Sequence, residues 1–360
     1  MLNNSVPTIK KSSSLPTILI AGGAGFLGSH LAERLLETQC RVIAIDNLAT
    51  GQRNFTQGLA THPRLSFINT DINEKLPEEV ESVDHIFHLA SLEVYLSGRK
   101  ETSLDALLTN ALGTRNLLEL AKASKAKFLL CSSIDVYRGL LSSQNLENYF
   151  GATPRQERRF VHAEAKRFAE ALTWESFETD GLDARIVRLG EIYGPRMDLK
   201  SSGTLGRLLE ELQTGQDLTV YGEGLEKEYY THVEDVVTGI IKACFSPNTV
   251  GKIYSVTTIE PTTPLELVYL LKEVVGKDLR VVFKPPPEKT PLAESKVIDG
   301  ESQRELGWEP KITLKEGVLS VLKEEEVKIE KKTVAEKIAE KVPVRGKARS
   351  KQKRRRPQGG

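Results

Sequence analysis

From Thr17 onward the chain alternates short apolar runs with longer stretches of helical spacing. Thr17–Ala21 (T-I-L-I-A) is continuously apolar and stops at Gly22, which suits a strand buried on both faces. Leu27, Leu31, Leu35 and Leu36 recur at helical spacing, so a helix is predicted over Phe26–Thr38. The same alternation predicts strands at Arg41–Asp46, Leu65–Thr70, Val83–Ala90, Lys127–Ser133 and Ala184–Leu189. It predicts helices over Ser103–Ala123 and Phe160–Phe177. Strands that alternate with helices argue for an α/β fold: a doubly wound, parallel Rossmann sheet.

The rhythm changes after Gly194-Pro195. One helix (Leu205–Gln213) and one short strand (Leu218–Tyr221) lie between glycine-rich turns, and prolines at 261, 264 and 285–287 break the segments beyond them. We expect residues 15–190 to form the domain that carries this sheet. Residues 191–322 are expected to form a smaller C-terminal α/β substrate domain, partly interleaved with the first. Residues 1–14 are polar and Ser-rich and read as a disordered leader. The segment 323–360 should begin helical, since the pattern over 315–341 is helical, and then become a disordered basic tail from Val342.

Charge sharpens that division. The formal net charge is only +1, yet residues 331–360 hold twelve Lys/Arg against two Glu. The rest of the chain is therefore net acidic. The tail suits an acidic partner or nucleic acid through counterion release, or it is a solvated counterweight to an acidic body. It has no aromatic residue over 345–360, so stacking on single strands is not indicated. No apolar run reaches the roughly 18 residues of a membrane helix, and Met1–Leu15 has no apolar h-region. No membrane contact is expected, and the cytoplasm is the expected address. Cys40, Cys131 and Cys244 are far apart and form no CxxC or Cys/His cluster, so neither a disulfide framework nor a metal site is expected.

The first chemistry lies at Gly22-Gly23-Ala24-Gly25-Phe26-Leu27-Gly28, between the first strand and the first helix. Glycines there allow a tight turn and let a pyrophosphate approach backbone N–H groups at a helix N-terminus. Asp46 ends the next strand about 20 residues on, placed for the ribose hydroxyls. A carboxylate there repels a 2′-phosphate, so NAD is favoured over NADP. Asp71, after the third strand, is either a contact for the adenine edge or an ordinary turn aspartate.

Further motifs come in order along the chain: Asp46-Asn47 with Thr50-Gly51, His88-Leu89-Ala90-Ser91, and Asn110-x-x-Gly113-Thr114-x-Asn116. Ser132-Ser133-Ile134-Asp135-Val136-Tyr137, Lys166-x-x-x-Glu170, Tyr193-Gly194-Pro195-Arg196-Met197 and Leu218-Thr219-Val220-Tyr221-Gly222 complete the set. Over roughly residues 15–320 the chain resembles the extended short-chain dehydrogenase/reductases, the nucleotide-sugar epimerases, dehydratases and decarboxylases. Its wording at 46–51, 166–170 and 194–197 is most similar to the UDP-glucuronate decarboxylase branch. The resemblance implies NAD held by Gly22, Gly25, Phe26, Leu27, Gly28, Asp46, Asn47, Asp71, Ala90 and Lys166. It implies hydride transfer on a nucleotide-sugar, and a homodimer formed through Ser103–Ala123 and Phe160–Phe177.

The same resemblance exposes departures. The family's base is a tyrosine four residues before the lysine, on one helix face. Lys166 and the strand-five hydroxyl Ser133 match, but the tyrosine position holds His162. An imidazole beside an ammonium is kept neutral and suits a proton acceptor, although it reaches less far than a phenol. The alternatives are Lys166 or a carboxylate acting through water, a site that binds NAD without redox chemistry, or a histidine that merely lines a cleft. Glu191 stands where the family has Asn, and Glu228 where it has a diphosphate-clamping Arg, with Lys227 adjacent. Arg196 and Arg207 are candidates for an anionic substrate, or else surface ion-pair partners. Arg138 replaces a usual Gly. Ile134 speaks against the dehydratase branch. Asp135 stands where the decarboxylases carry Glu, and serves either decarboxylation or the loop. Two functions fit this pattern: an NAD-dependent nucleotide-sugar enzyme with an atypical active site, or a non-catalytic NAD-binding protein whose basic tail recruits a partner.

Overall fold

The computed structural model describes residues 15–51, 61–80, 82–92, 103–137, 160–276, 278–286 and 300–324. The leader 1–14, Arg138, most of the expected 315–341 helix and the basic tail lie outside the described residues. The chain divides into a unit ending at Val321 and a second, Leu322–Gly360, of which only 322–324, the end of a helical stretch, are described.

The apolar runs become the strands of one seven-stranded parallel sheet. These are β1 (Thr17–Ala21), β2 (Arg41–Asp46), β3 (Leu65–Asn69), β4 (His85–His88), β5 (Lys127–Ser133) and β6 (Ala184–Leu189). Their order across the sheet is β6-β5-β4-β1-β2-β3. A parallel sheet buries both faces, and it does so here. Helix α1 (Phe26–Leu36) covers one face, whose core includes Leu31, Leu35, Phe87 and Val187. The opposite core includes Leu19, Leu117, Phe128 and Ile186.

Two elements of the 191–322 segment join the main sheet and its core. The seventh strand comes from Ile253–Val256, inside the segment assigned to the smaller domain, and it pairs with β6. The helix Val233–Phe245 likewise joins the core under that sheet, with Val236, Ile240 and Ile241 buried. A short apolar strand beyond a change of rhythm carries no label that says which sheet it will join.

The helix over 103–124 is also not uniform. It runs as α2 (Ser103–Leu108), a π turn (Thr109–Gly113) and α3 (Thr114–Ser124). Asn110 Nδ2 donates to the Ala106 carbonyl at 3.0 Å, the acceptor that an ordinary helical N–H at 110 would use. The apolar periodicity continues through this insertion, so the sequence pattern hides it.

Helix α4 (Phe160–Asp180) leads into β6. Beyond β6 come β7 (Glu191–Tyr193), α5 (Gly203–Gln213), β8 (Leu218–Tyr221) and β9 (Tyr230–His232). The Val233–Phe245 helix is α6 and the Ile253–Val256 strand β10. Next are α7 (Pro264–Val275), β11 (Val281–Lys284) and α8 (Glu301–Leu306). Two small parallel pairs, β7 with β9 and β8 with β11, lie outside the main sheet. Asp235 on α6 anchors the chain after α8: its Oδ2 accepts the N–H groups of Lys311 at 3.0 Å and Ile312 at 2.8 Å. Trp308, fully buried, donates to the Asp235 carbonyl at 3.0 Å. Among the described residues no helix is long and apolar enough to cross a membrane.

Replacing Asp235 by Ala strands two backbone donors. It should lower stability by about 2–3 kcal/mol, read as a fall in the urea midpoint without a change in slope.

Candidate active site

The sheet reverses direction of winding between β1 and β4, which are hydrogen-bonded neighbours. In such sheets the crevice at the carboxyl ends of the strands, at that reversal, is the ligand site. A cleft of about 280 Å³ opens there, and a smaller one of about 80 Å³ adjoins it; Gly22 and Gly25 line both.

The glycine turn fits a dinucleotide for reasons visible in its packing. Gly22 has φ +84°, the left-handed region where a side chain is strained. A Cβ on Gly28 would stand 2.1 Å from the Gly22 carbonyl oxygen. The first turn of α1 can therefore press directly on the strand end only because both residues are glycine. Gly25 caps α1 with no side-chain cap bond, so the helix N-terminus, the favourable end for an anion, faces the cleft with Phe26, Leu27 and Gly28 in its lining.

The smaller cleft is lined by Asp46, Asn47, Asp71 and Ala90. Asp46 is buried and organises its own loop: its carboxylate accepts from Ala24 N at 3.0 Å and Leu48 N at 2.8 Å. Burial holds its pKa above the usual carboxylate value, and those two N–H groups offset this only in part. Asn47 Nδ2 donates to Asp71 Oδ2 at 2.9 Å, which ties the two candidates into one wall. These carboxylate acceptors fit the ribose hydroxyls of the adenosine half of NAD.

The larger cleft brings together Ser133, Asp135, His162, Lys166 and Glu191. His162 and Lys166 lie one turn apart on α4 and are 5% and 4% exposed. Lys166 Nζ donates to the Cys131 carbonyl at 2.9 Å, which pins α4 to the end of β5. The turn after β5 (Ile134–Tyr137) is held to the same helix. Arg167 donates to the Val136 carbonyl from Nε at 3.1 Å and from Nη2 at 3.0 Å. Glu170 accepts Arg188 in a fork at 2.9 and 2.6 Å, and the Arg188 guanidinium lies 4.7 Å over the Tyr137 ring. Ser133 Oγ accepts from Asp135 N at 3.1 Å. Beneath them His88 is fully buried and shares a hydrogen with Thr114 Oγ1 at 2.9 Å. Burial first, and the Lys166 ammonium second, push His88 down to about 3. It is a neutral strut, not a second base.

Three sequence candidates are not brought to the cleft. Arg196, with φ +70°, turns back onto α1, where its Nε donates to His30 Nε2 at 3.1 Å and its Nη2 to Glu33 at 2.8 Å. Arg207 donates to the Thr219 carbonyl and to Glu211, and lies 4.8 Å over the Tyr221 ring. Glu228 accepts from Thr204 Oγ1 at 3.3 Å and from the Tyr230 hydroxyl. Sequence reasoning missed Ser132, Asp198, Ser201 and Ser202, all of which line the larger cleft. No motif marks the last three, because they enter through a turn that only the fold brings to the sheet edge. Among the described residues no group of three His, Cys, Asp or Glu could hold a metal ion.

Comparison with known proteins agrees with this geometry. A model of the NAD dependent epimerase/dehydratase family matches residues 18–257. The chain is 34% identical over 301 residues to UDP-glucuronic acid decarboxylase 1 of Arabidopsis thaliana, covering 84% of this chain and 68% of that one. It superposes on UDP-glucose 4-epimerase of Thermotoga maritima, solved with UDP-glucose, with a TM-score of 0.74 at 27% identity, over 87% of this chain and 99% of that one. The UDP-glucose 4-epimerase of Thermus thermophilus, solved with NAD, gives 0.69 at 27% identity, over 86% and 98%. These comparisons lend no support to the non-catalytic reading. With its glycine turn, its Asp46 wall and its buried lysine on one parallel sheet edge, the chain belongs to the NAD-dependent epimerase/dehydratase family and is an NAD-dependent enzyme of nucleotide-sugar modification.

Proposed function

We propose that this enzyme oxidises a hydroxyl-bearing carbon of a nucleotide-activated sugar, the redox step shared by UDP-glucuronate decarboxylases and 4-epimerases. The observation that carries the reading is the pairing of His162 with Lys166 one helical turn on, both buried in the cleft that Ser133 and the glycine turn also line.

Gly22, Gly25, Phe26, Leu27 and Gly28 hold the NAD pyrophosphate, Asp46 the ribose hydroxyls, and Asn47, Asp71 and Ala90 the adenine end. Lys166 holds the nicotinamide ribose. The chemistry NAD supplies when bound is reversible acceptance of a hydride from the sugar carbon. His162 takes the hydroxyl proton at a ring nitrogen, and Ser133 Oγ orients that hydroxyl. Lys166 keeps α4 seated on β5 through the Cys131 carbonyl, so base and orienting hydroxyl stay in register. Asp135 lies on the turn just after Ser133, donates its backbone N–H to Ser133 Oγ, and stands beside the reacting sugar.

We also propose a homodimer. Leu104, Leu107, Leu108 and Leu112 on the 103–124 helix, with Phe168 and Trp174 on α4, are exposed large apolar side chains on elements that pack together. Covering such a patch is the usual reason for its size.

NAD-loaded protein mixed with UDP-, dTDP- and GDP-sugars should give an NADH absorbance signal with one of them. His162→Ala should slow it by about 10²- to 10⁴-fold. His162→Tyr should also slow it, because a phenol set for a longer reach misplaces the proton acceptor. A His162→Tyr variant that gains turnover over an inert parent would instead mark the parent site as degraded. Asp46→Ala should weaken NAD binding by about 10- to 100-fold in a titration, with NADP affected less. Joint replacement Phe168→Asp and Trp174→Lys should halve the sedimenting mass; an unchanged mass rules this surface out as the dimer contact.

A further inference from the structure

The lining of the larger cleft comes from parts of the chain that are far apart in sequence. Phe26, Leu27 and Gly28 open α1, while Asp198, Ser201 and Ser202 enter from the turn after β7. His30 connects the two. It is 5% exposed and lies one turn along α1 from Phe26, whose ring it meets edge-on at 5.5 Å. Its Nδ1 lies 3.0 Å from Glu234 Oε1, in the first turn of α6. Its Nε2 lies 2.9 Å from the Pro195 carbonyl and 3.1 Å from Arg196 Nε.

The chemistry of these neighbours assigns the hydrogens of the ring. The bond from His30 holds the Glu234 carboxyl below the usual carboxylate range. A carboxylate only accepts, so Nδ1 carries a hydrogen. Arg196 Nε only donates, and the Pro195 carbonyl only accepts. Nε2 therefore serves Arg196 when the ring is neutral and the Pro195 carbonyl when it is protonated. These two groups belong to adjacent residues, so the ring is tied to one turn in either state, with Glu234 as its anchor.

That turn is one that needs holding. Arg196 sits at φ +70°, a left-handed conformation that a non-glycine residue keeps where its surroundings over-determine it. Met197 N donates to the Gly194 carbonyl at 3.2 Å and closes the turn. Directly beyond it, the Asp198 carbonyl accepts from Ser202 Oγ at 2.6 Å, and its carboxylate accepts from Ser201 Oγ at 2.8 Å. The Ser202 carbonyl accepts from Gly206 N at 3.0 Å, in the first turn of α5. Bonded neighbours thus lead from His30 to all three cleft residues of this segment.

We propose that His30 is a positioning residue: it fastens the 195–202 turn to α1 and so sets where Asp198, Ser201 and Ser202 stand relative to the glycine turn. The inference rests on the nucleotide-sugar reading only for what the positioned wall binds.

Two amide side chains separate the contacts of the ring. The amide of His30→Gln reaches the place of Nε2 and can bond Arg196 or Pro195, whereas that of His30→Asn reaches only the place of Nδ1 and can bond Glu234. The first readout is hydrogen exchange by mass spectrometry on the NAD-loaded full chain. Amides of 197–206 should exchange about five- to tenfold faster in His30→Asn than in the parent, and within about twofold of the parent in His30→Gln. The second readout uses whichever nucleotide-sugar gives an NADH signal. His30→Asn should raise its KM about five- to twentyfold with kcat within about threefold, and His30→Gln should restore the KM. Parent-like exchange at 197–206 in His30→Asn overturns the coupling. Equal damage by the two amides also overturns it, and leaves His30 as packing alone. A parent-like KM beside faster exchange overturns the link to the cleft. If His30→Asn does not fold, Arg196→Asn tolerates the left-handed backbone, removes the Nε donor and carries the same expectation. Turnover of no sugar by the parent counts against the nucleotide-sugar reading, and the exchange result still decides the coupling.

Discussion

Chains that run parallel must return across one face of the sheet, and the crossovers that leave β1 and β4 go to opposite sides. No loop can then close over the carboxyl ends where the two meet. This topological constraint produces the crevice, and everything chemical in the protein is placed with respect to it. The glycine turn opens on one side of it, Asp46 ends the next strand outward, and Ser133 ends β5 on the other. The tight contact between Gly28 and the Gly22 carbonyl is the local cost of bringing a helix N-terminus up to that edge.

The second half of the site depends on where a buried ammonium can be satisfied. Lys166 has almost no contact with solvent, and its bond to the Cys131 carbonyl satisfies part of its need. That bond fixes the helix that carries His162. The Arg167 and Arg188 contacts then fix the turn that carries Asp135 against the same helix. His162 and Ser133, the residues proposed as proton acceptor and hydroxyl orienter, therefore belong to one braced unit. A histidine in place of the usual tyrosine alters the reach of the acceptor without disturbing the brace.

Much of this was legible in the residues alone. The strand–glycine–helix opening, the strand-end Asp46, Ser133 and the His162–Lys166 spacing depend on neighbours within a few residues. Local chemistry dictates them, and all lie in the two clefts. Whether a charged side chain faces the cleft was not legible. Arg196 and Arg207 read equally as substrate contacts or as ion-pair partners, and only the fold shows their neighbours: His30 and Glu33 for Arg196, Thr219 and Tyr221 for Arg207. The sheet membership of Ile253–Val256, the π turn beneath Asn110, and the arrival of Asp198, Ser201 and Ser202 at the cleft were equally hidden. Periodicities and turn positions can be read from the chain itself, because they follow from backbone geometry and local contacts. Which long side chains turn inward is settled only in the folded molecule, because an arginine or glutamate goes to the strongest partner within reach, and the fold determines which partners those are.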